Sequence, residues 1–377
     1  MMSRIQANVV KQYDAIVIGV GAMGSAACYH LAKRGAKVLG LERFDIPHSL
    51  GSSGGHTRMT RMAYYEHPDY VPLLRRANEL WRELESETQL QLLNHVGGLY
   101  MGRADGEVIS GSRRSVSEHG LPHEVLTREQ LQKRFPQFHL PDDHVGLLER
   151  DAGYLFPERC IAAHAHAAML RGAEIHGREQ VIEWQPGRVR TDRAEYHADK
   201  IIFCGGAWSG QLLSDLGINL RITRQVLAWF WPRKPELFQS MPVWGIERDE
   251  GLYYGFPMLA EHPGLKVALH RPGEDVQPDT VDREIRDADI AGLREFVAQH
   301  LPDGVGPLVS AKVCLYTNSP DGHFMIDHHP QNANVLIACG FSGHGFKFAS
   351  VIGEVLAEMA QQGTTRHPTD FLKITRF

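Results

Sequence analysis

Residues 13–18 (YDAIVI) form an apolar run without polar alternation, the pattern of a strand buried on both faces of a parallel sheet. Gly19, Gly21 and Gly24 follow at once, and residues 25–34 favour a helix that stops at Gly35. A second run, 37–41 (KVLGL), predicts another strand and ends at Glu42. Strand, glycine turn, helix, strand and terminal acid fill one βαβ unit of about 30 residues.

Leu73, Ala77, Leu80, Trp81 and Leu84 share one face and predict a packing helix over 70–85. A further helix over 160–171 carries His164 and His166, which are two apart and point to different sides. They do not chelate one metal, and a solvated or capping role is expected. Residues 200–203 (KIIF) predict a strand emptying into the turn from Cys204 through Gly205 to Trp208. A helical pattern at Leu212, Leu213 and Leu216 follows.

From 221 to 307 aromatics and prolines crowd together in VLAWFWP, VWGIE and LYYGFP. An antiparallel sheet with one face toward a substrate pocket is expected there. For Trp229, Trp231, Trp244, Tyr253, Tyr254 and Phe256, core packing competes with pocket lining. Beyond Pro307 the pattern is strand (VCLYT), turn, strand (FMIDHH), turn, strand (NVLIACG), a glycine-rich loop and a last helix with Phe348, Val351, Val355 and Met359 on one face. The chain thus returns to its first domain.

At 377 residues, 43% hydrophobic and 23% charged, the composition is that of a globular protein of two to three domains. The net charge of −5 leaves no cation excess for a phosphate backbone or an acidic membrane, so nucleic acid is not an expected partner. No apolar run reaches the length of a membrane span. Five cysteines without CxxC spacing suggest neither a disulfide framework nor a zinc site, and no metal is expected. With a polar opening that lacks a secretion leader, the expected location is cytoplasmic.

The glycine turn has a physical purpose. Gly19 permits the turn, Gly21 lets the backbone approach a pyrophosphate, and Gly24 lets helix and strand pack closely. Chance glycines at a strand-helix corner would look alike, but here the whole predicted context is present. Glu42, 18 residues beyond Gly24, is placed to accept from a ribose hydroxyl and repels the extra phosphate of NADP. The turn alone does not choose between NAD and FAD.

In SSGGHTRMTR (52–61), YYGFP (253–257), KVCLYT (312–317) and GFSGHGFKF (340–348), the chain resembles the monomeric sarcosine oxidase and N-methyltryptophan oxidase family. The resemblance implies an α/β fold, with a Rossmann-like FAD-binding domain (11–82, 145–220 and 310–377). A second domain (83–144 and 221–309) would be built on a mixed, largely antiparallel sheet. It also implies FAD linked through Cys314, whose thiolate would attack the flavin methyl carbon. Further residues expected around the cofactor are Arg43, Thr57, Arg58, Gly205, Trp208, Gly343, His344 and Gly345. Arg61 and Lys347 match the pair that holds the substrate carboxylate, where a planar fork and a point charge complement each other. Lys266 matches the lysine that assists oxygen, since a fixed cation stabilises developing negative charge, although strand alternation equally allows it to face water. Tyr254 and His270 match pocket residues that orient the amine, with a core histidine as the rival for His270.

The family carries His-His-Gly-Asp before its Thr-Arg pair, where this chain has Ser53-Gly54-Gly55-His56, which leaves the identity of the substrate open. The expected activity is oxidation of a secondary amino acid by flavin and dioxygen, by a monomer. For an N-methyl substrate it yields the demethylated amino acid, formaldehyde and hydrogen peroxide. The alternatives are a cyclic secondary amine such as pipecolate or proline, which gives no formaldehyde, and an NAD-dependent dehydrogenase.

Overall fold

A computed structural model describes residues 12–377; the polar opening, residues 1–11, lies outside the described residues. The strand Gln12–Ile18 sits at the centre of an eight-stranded sheet, flanked in parallel by Val38–Leu41 and Glu195–Phe203. Glu174–His176 and Asn332–Cys339 extend this parallel core on either side. The helix Ala22–Lys33 is buried along most of its length because small residues let Pro157–Met169 and Ala349–Gln362 approach it closely.

The second sheet has nine strands. Arg221–Phe230, Leu265–His270, Gly251–Gly255 and Val243–Arg248 form an antiparallel run, and Val243–Arg248 then meets Gly98–Arg103 in parallel. The helix Asp287–His300 covers this sheet with Ile290, Leu293, Phe296 and Val297. This helix interrupts the region 221–307, for which the sequence predicts sheet. A small sheet joins Arg58–Thr60 and Leu93–His95 to Gly153–Leu155.

The structure differs from expectation at four places. Residues 145–149 and 310–318, assigned to the cofactor domain, lie in the second sheet: His144–Glu149 pairs with Gly98–Arg103, and Leu308–Asn318 with Arg221–Phe230. The helix Tyr70–Thr88 runs three residues beyond 85 and ends at Gln89, which takes a left-handed conformation. The pattern at Leu212, Leu213 and Leu216 forms single turns that end at Gly217 with φ 67°. His166 is exposed as expected, but His164 is buried against Tyr29 and Trp81, where burial holds its imidazole neutral. Among the described residues, no helix is long and apolar enough to cross a membrane.

Candidate functional site

The glycine turn closes as its spacing predicts. A Cβ on Gly24 would stand 1.8 Å from the Gly19 carbonyl oxygen, so helix and strand touch through backbone. A Cβ on Gly21 would meet nothing within 4 Å, because that backbone faces a large cavity. The helix behind it has no side-chain cap and no acid in its first turn, which leaves its N–H groups and positive end for a diphosphate. Glu42 is buried at the same cavity and accepts from the Val20 and Phe44 N–H groups at 2.9 and 3.0 Å. Arg43, Gly205 and Trp208 continue the lining. Above them, Asp279 accepts from Arg43 Nη1 at 2.6 Å and from Trp208 Nε1 at 2.8 Å. These residues fit a dinucleotide: backbone cradle, ribose carboxylate and free helix end are all present.

The cavity continues to the second sheet, where Tyr254, His270 and Cys314 face the loop of Gly343, His344, Gly345 and Lys347. Cys314 Sγ lies 3.7 Å from Arg58 Nη2, which puts a fixed cation beside the sulfur. Arg58 is itself held by the carbonyls of Ser52 at 2.7 Å, Gly54 at 2.6 Å and Thr57 at 2.8 Å. His270 Nδ1 is 3.2 Å from the hydroxyl of Tyr316, which also bonds Tyr254. Burial pushes His270 down to about 4 and Tyr254 up, so both are neutral at pH 7.

Arg61 and Lys347 form a buried cationic end, 4% and 6% exposed. Arg61 Nη2 donates to Glu66 Oε2 at 2.7 Å, and its guanidinium lies 4.3 Å from the ring centres of both Tyr64 and Tyr65. Its Nη1 is buried with no hydrogen-bond partner. Lys347 Nζ donates to the His344 carbonyl at 2.7 Å, and burial together with nearby Arg61 pushes the ammonium down to about 7. Burial raises Glu66, but Arg61, His344 and Lys347 outweigh it and hold this carboxyl at about 2.

Three expected residues stand behind the lining: Gly24 in the helix-strand contact, Thr57, and Lys266. Lys266 is 3% exposed, which excludes the solvated alternative. Its Nζ donates to Gly55 O at 2.8 Å, Thr57 O at 2.9 Å and Thr57 Oγ1 at 3.0 Å, and burial depresses its pKa strongly. His56 leaves the main cavity and stacks on His262 at 3.8 Å. Of the aromatic group, Trp229, Trp244, Tyr253 and Phe256 are core, Trp231 is 45% exposed, and Tyr254 alone lines the cavity.

Sequence patterns missed Glu66 and Tyr316: Glu66 lies five residues beyond Arg61 in a segment without regular spacing, and Tyr316, two residues beyond Cys314 on the same strand, meets His270 on another. A separate cluster of Glu354, Glu358 and His367 has metal-like spacing, but Arg76, Arg34 and Arg366 already pair with its carboxylates.

The chain matches a family described as "DAO: FAD dependent oxidoreductase" over residues 14–359. It is 44% identical over 366 residues to a monomeric sarcosine oxidase of Streptomyces avermitilis, covering 94% of this chain and 95% of that one. Identity to an N-methyl-L-tryptophan oxidase of Salmonella dublin is 34% over 374 residues, with 97% and 99% covered. Among solved structures it is similar to NikD, an unusual amino acid oxidase essential for nikkomycin biosynthesis, with TM-score 0.84, 25% identity and coverage of 96% and 97%.

Proposed function

Because the chain belongs to the DAO family of FAD dependent oxidoreductases, we propose that it oxidises secondary amino acids, with N-methyl amino acids of the sarcosine or N-methyltryptophan kind as substrates. The overall change is R–NH–CH₃ + O₂ + H₂O → R–NH₂ + CH₂O + H₂O₂. It acts as a cytoplasmic monomer. One observation carries the reading: the dinucleotide cavity ends at a buried arginine with an unsatisfied Nη1, beside a buried lysine. That is a receptor for a carboxylate.

The glycine turn, Glu42 and Arg43 would hold FAD in this cavity, where it would supply a two-electron acceptor that dioxygen can reoxidise. Arg61, through the Nη1 that Glu66 leaves free, and Lys347 fix the substrate carboxylate. Tyr254 and His270, both neutral, orient the amine by hydrogen bonds without adding charge. Cys314 is the residue proposed to hold the flavin covalently, supported by its place on the cavity wall and by Arg58 beside its sulfur. Lys266 is proposed to favour oxygen reduction as a buried amine whose protonated form stabilises the negative charge that develops on oxygen.

The test is a parallel assay of peroxide and formaldehyde over N-methyl and cyclic amino acids. Equal amounts of the two products from an N-methyl substrate are expected. Peroxide from cyclic substrates alone, without formaldehyde, would transfer the protein to the cyclic-amine class.

A further inference from the structure

The segment that carries Thr57, Arg58 and Arg61 is bracketed by two carboxylates from one short stretch of chain. At its start, Glu158 Oε1 accepts from the N–H groups of Gly55 at 2.8 Å and His56 at 3.1 Å. Both residues are in left-handed backbone, φ 108° and 70°, a conformation that is costly for a histidine and needs such support. At its end, Glu149 accepts from Met62 N–H at 3.0 Å, Ala63 N–H at 2.9 Å and the Tyr100 hydroxyl at 3.0 Å. Between the two, Arg58–Thr60 pairs antiparallel with Gly153–Leu155.

We propose that Glu158 and Glu149 are positioning residues that divide the site between them, Glu158 serving oxygen and Glu149 serving the substrate carboxylate. The inference rests on the roles given above to Lys266 and Arg61. Glu158 fixes the turn whose Gly55 and Thr57 oxygens receive Lys266 Nζ, so it sets where that amine stands. Glu149 fixes the backbone immediately after Arg61, and with it the direction of the guanidinium toward the cavity. Each works by accepting backbone N–H groups, a task that a glutamine oxygen also performs.

Stopped-flow kinetics of the flavin-loaded enzyme separates the two halves. In Glu158→Ala, the rate constant of the substrate-reduced enzyme with oxygen should fall about tenfold or more, with substrate Kd within about twofold. In Glu149→Ala, Kd for a carboxylate substrate should rise about tenfold while the oxygen rate holds within about twofold. Glu158→Gln and Glu149→Gln should restore both values. Equal damage to both half-reactions by either alanine variant, or no rescue by glutamine, would overturn the proposal. If Glu149→Ala does not fold, Glu149→Gln decides alone: a tenfold weaker Kd would show that charge matters and not geometry. Lys266→Met and Arg61→Ala run alongside. If they leave the oxygen rate and Kd unchanged, the proposed roles of those residues fail. If they act while the glutamate variants do not, only the positioning pair fails.

Discussion

As part of the proposed carboxylate clamp, Lys347 should make binding depend on pH in a direction opposite to its effect on stability. Its ammonium is displaced from 10.5 to about 7, chiefly by burial and then by Arg61. That displacement corresponds to ~5 kcal/mol against the charged form. A bound carboxylate at contact distance returns up to ~4 kcal/mol at an intermediate effective dielectric, enough to raise the lysine by up to roughly three units. Above about pH 7 the anion therefore binds together with a proton, and Kd should rise toward tenfold per pH unit. The assay is a flavin-absorbance titration with a simple carboxylate that lacks an amine, so that no ligand group titrates in the range. Its methyl ester should show no slope, and Lys347→Arg should flatten the profile because arginine stays charged. Stability moves the other way. The unfolded lysine binds more protons than the folded one between about pH 7 and 10.5, so this residue's contribution to stability increases as pH rises through that window. A Kd that is flat from about pH 6 to 9, or an ester with the same slope, would refute the assignment of Lys347 to the clamp.

Acid-precipitated protein should stay yellow, and Cys314→Ser should release the colour into the supernatant; colourless wild-type precipitate would remove the covalent link. Lys266→Met should slow reoxidation by oxygen at least tenfold, a change of about 1.4 kcal/mol in barrier, with anaerobic reduction by substrate little altered. In Gly24→Ala the added carbon would sit 1.8 Å from the Gly19 oxygen, so flavin content after purification should fall to a small fraction of wild type. Asp279→Ala removes the acceptor shared by Arg43 and Trp208, and in a Cys314→Ser background flavin should dissociate several-fold faster by gel filtration.

The dinucleotide unit was legible because it is local: strand, turn, helix and acid lie within 30 consecutive residues, and each has its own spacing rule. The helix Asp287–His300 was not recognised although Ile290, Leu293, Phe296 and Val297 keep helical spacing, because its first turn and the preceding residues are densely charged. The domain limits at 145 and 310 do not follow sheet membership, because His144–Glu149 lies between Gly98–Arg103 and Glu124–Leu126, and Leu308–Asn318 pairs with Arg221–Phe230, contacts distant in sequence. Cys314, Arg61 and Lys347 were found through the motif resemblance, and the cavity brings them together. What no local pattern announces is a carboxylate whose partner is distant in sequence. Glu149 and Glu158 bind backbone some 86 to 103 positions away, so neither leaves a trace in hydrophobic period or spacing.

The proposed amine oxidation does not need His270 or Tyr254 as its base. Hydride loss requires a neutral nitrogen, yet His270 is held at about 4, and the shift of Tyr254 is upward, so neither changes charge near pH 7. What remains is the field. Arg58, Arg61 and Lys347 line the same cavity, and Glu66 pairs with Arg61 there. With the substrate anion on Arg61 as proposed, its own ammonium would stand among these cations in a poorly solvated space. Like charge and desolvation both favour the deprotonated amine. An apparent amine pKa for the bound substrate below that of the free amino acid, read from the pH dependence of anaerobic flavin reduction, is therefore expected. Replacing Arg58 with methionine should move that value back toward the free one; an unchanged value would mean that the charge of Arg58 does not act on the bound amine.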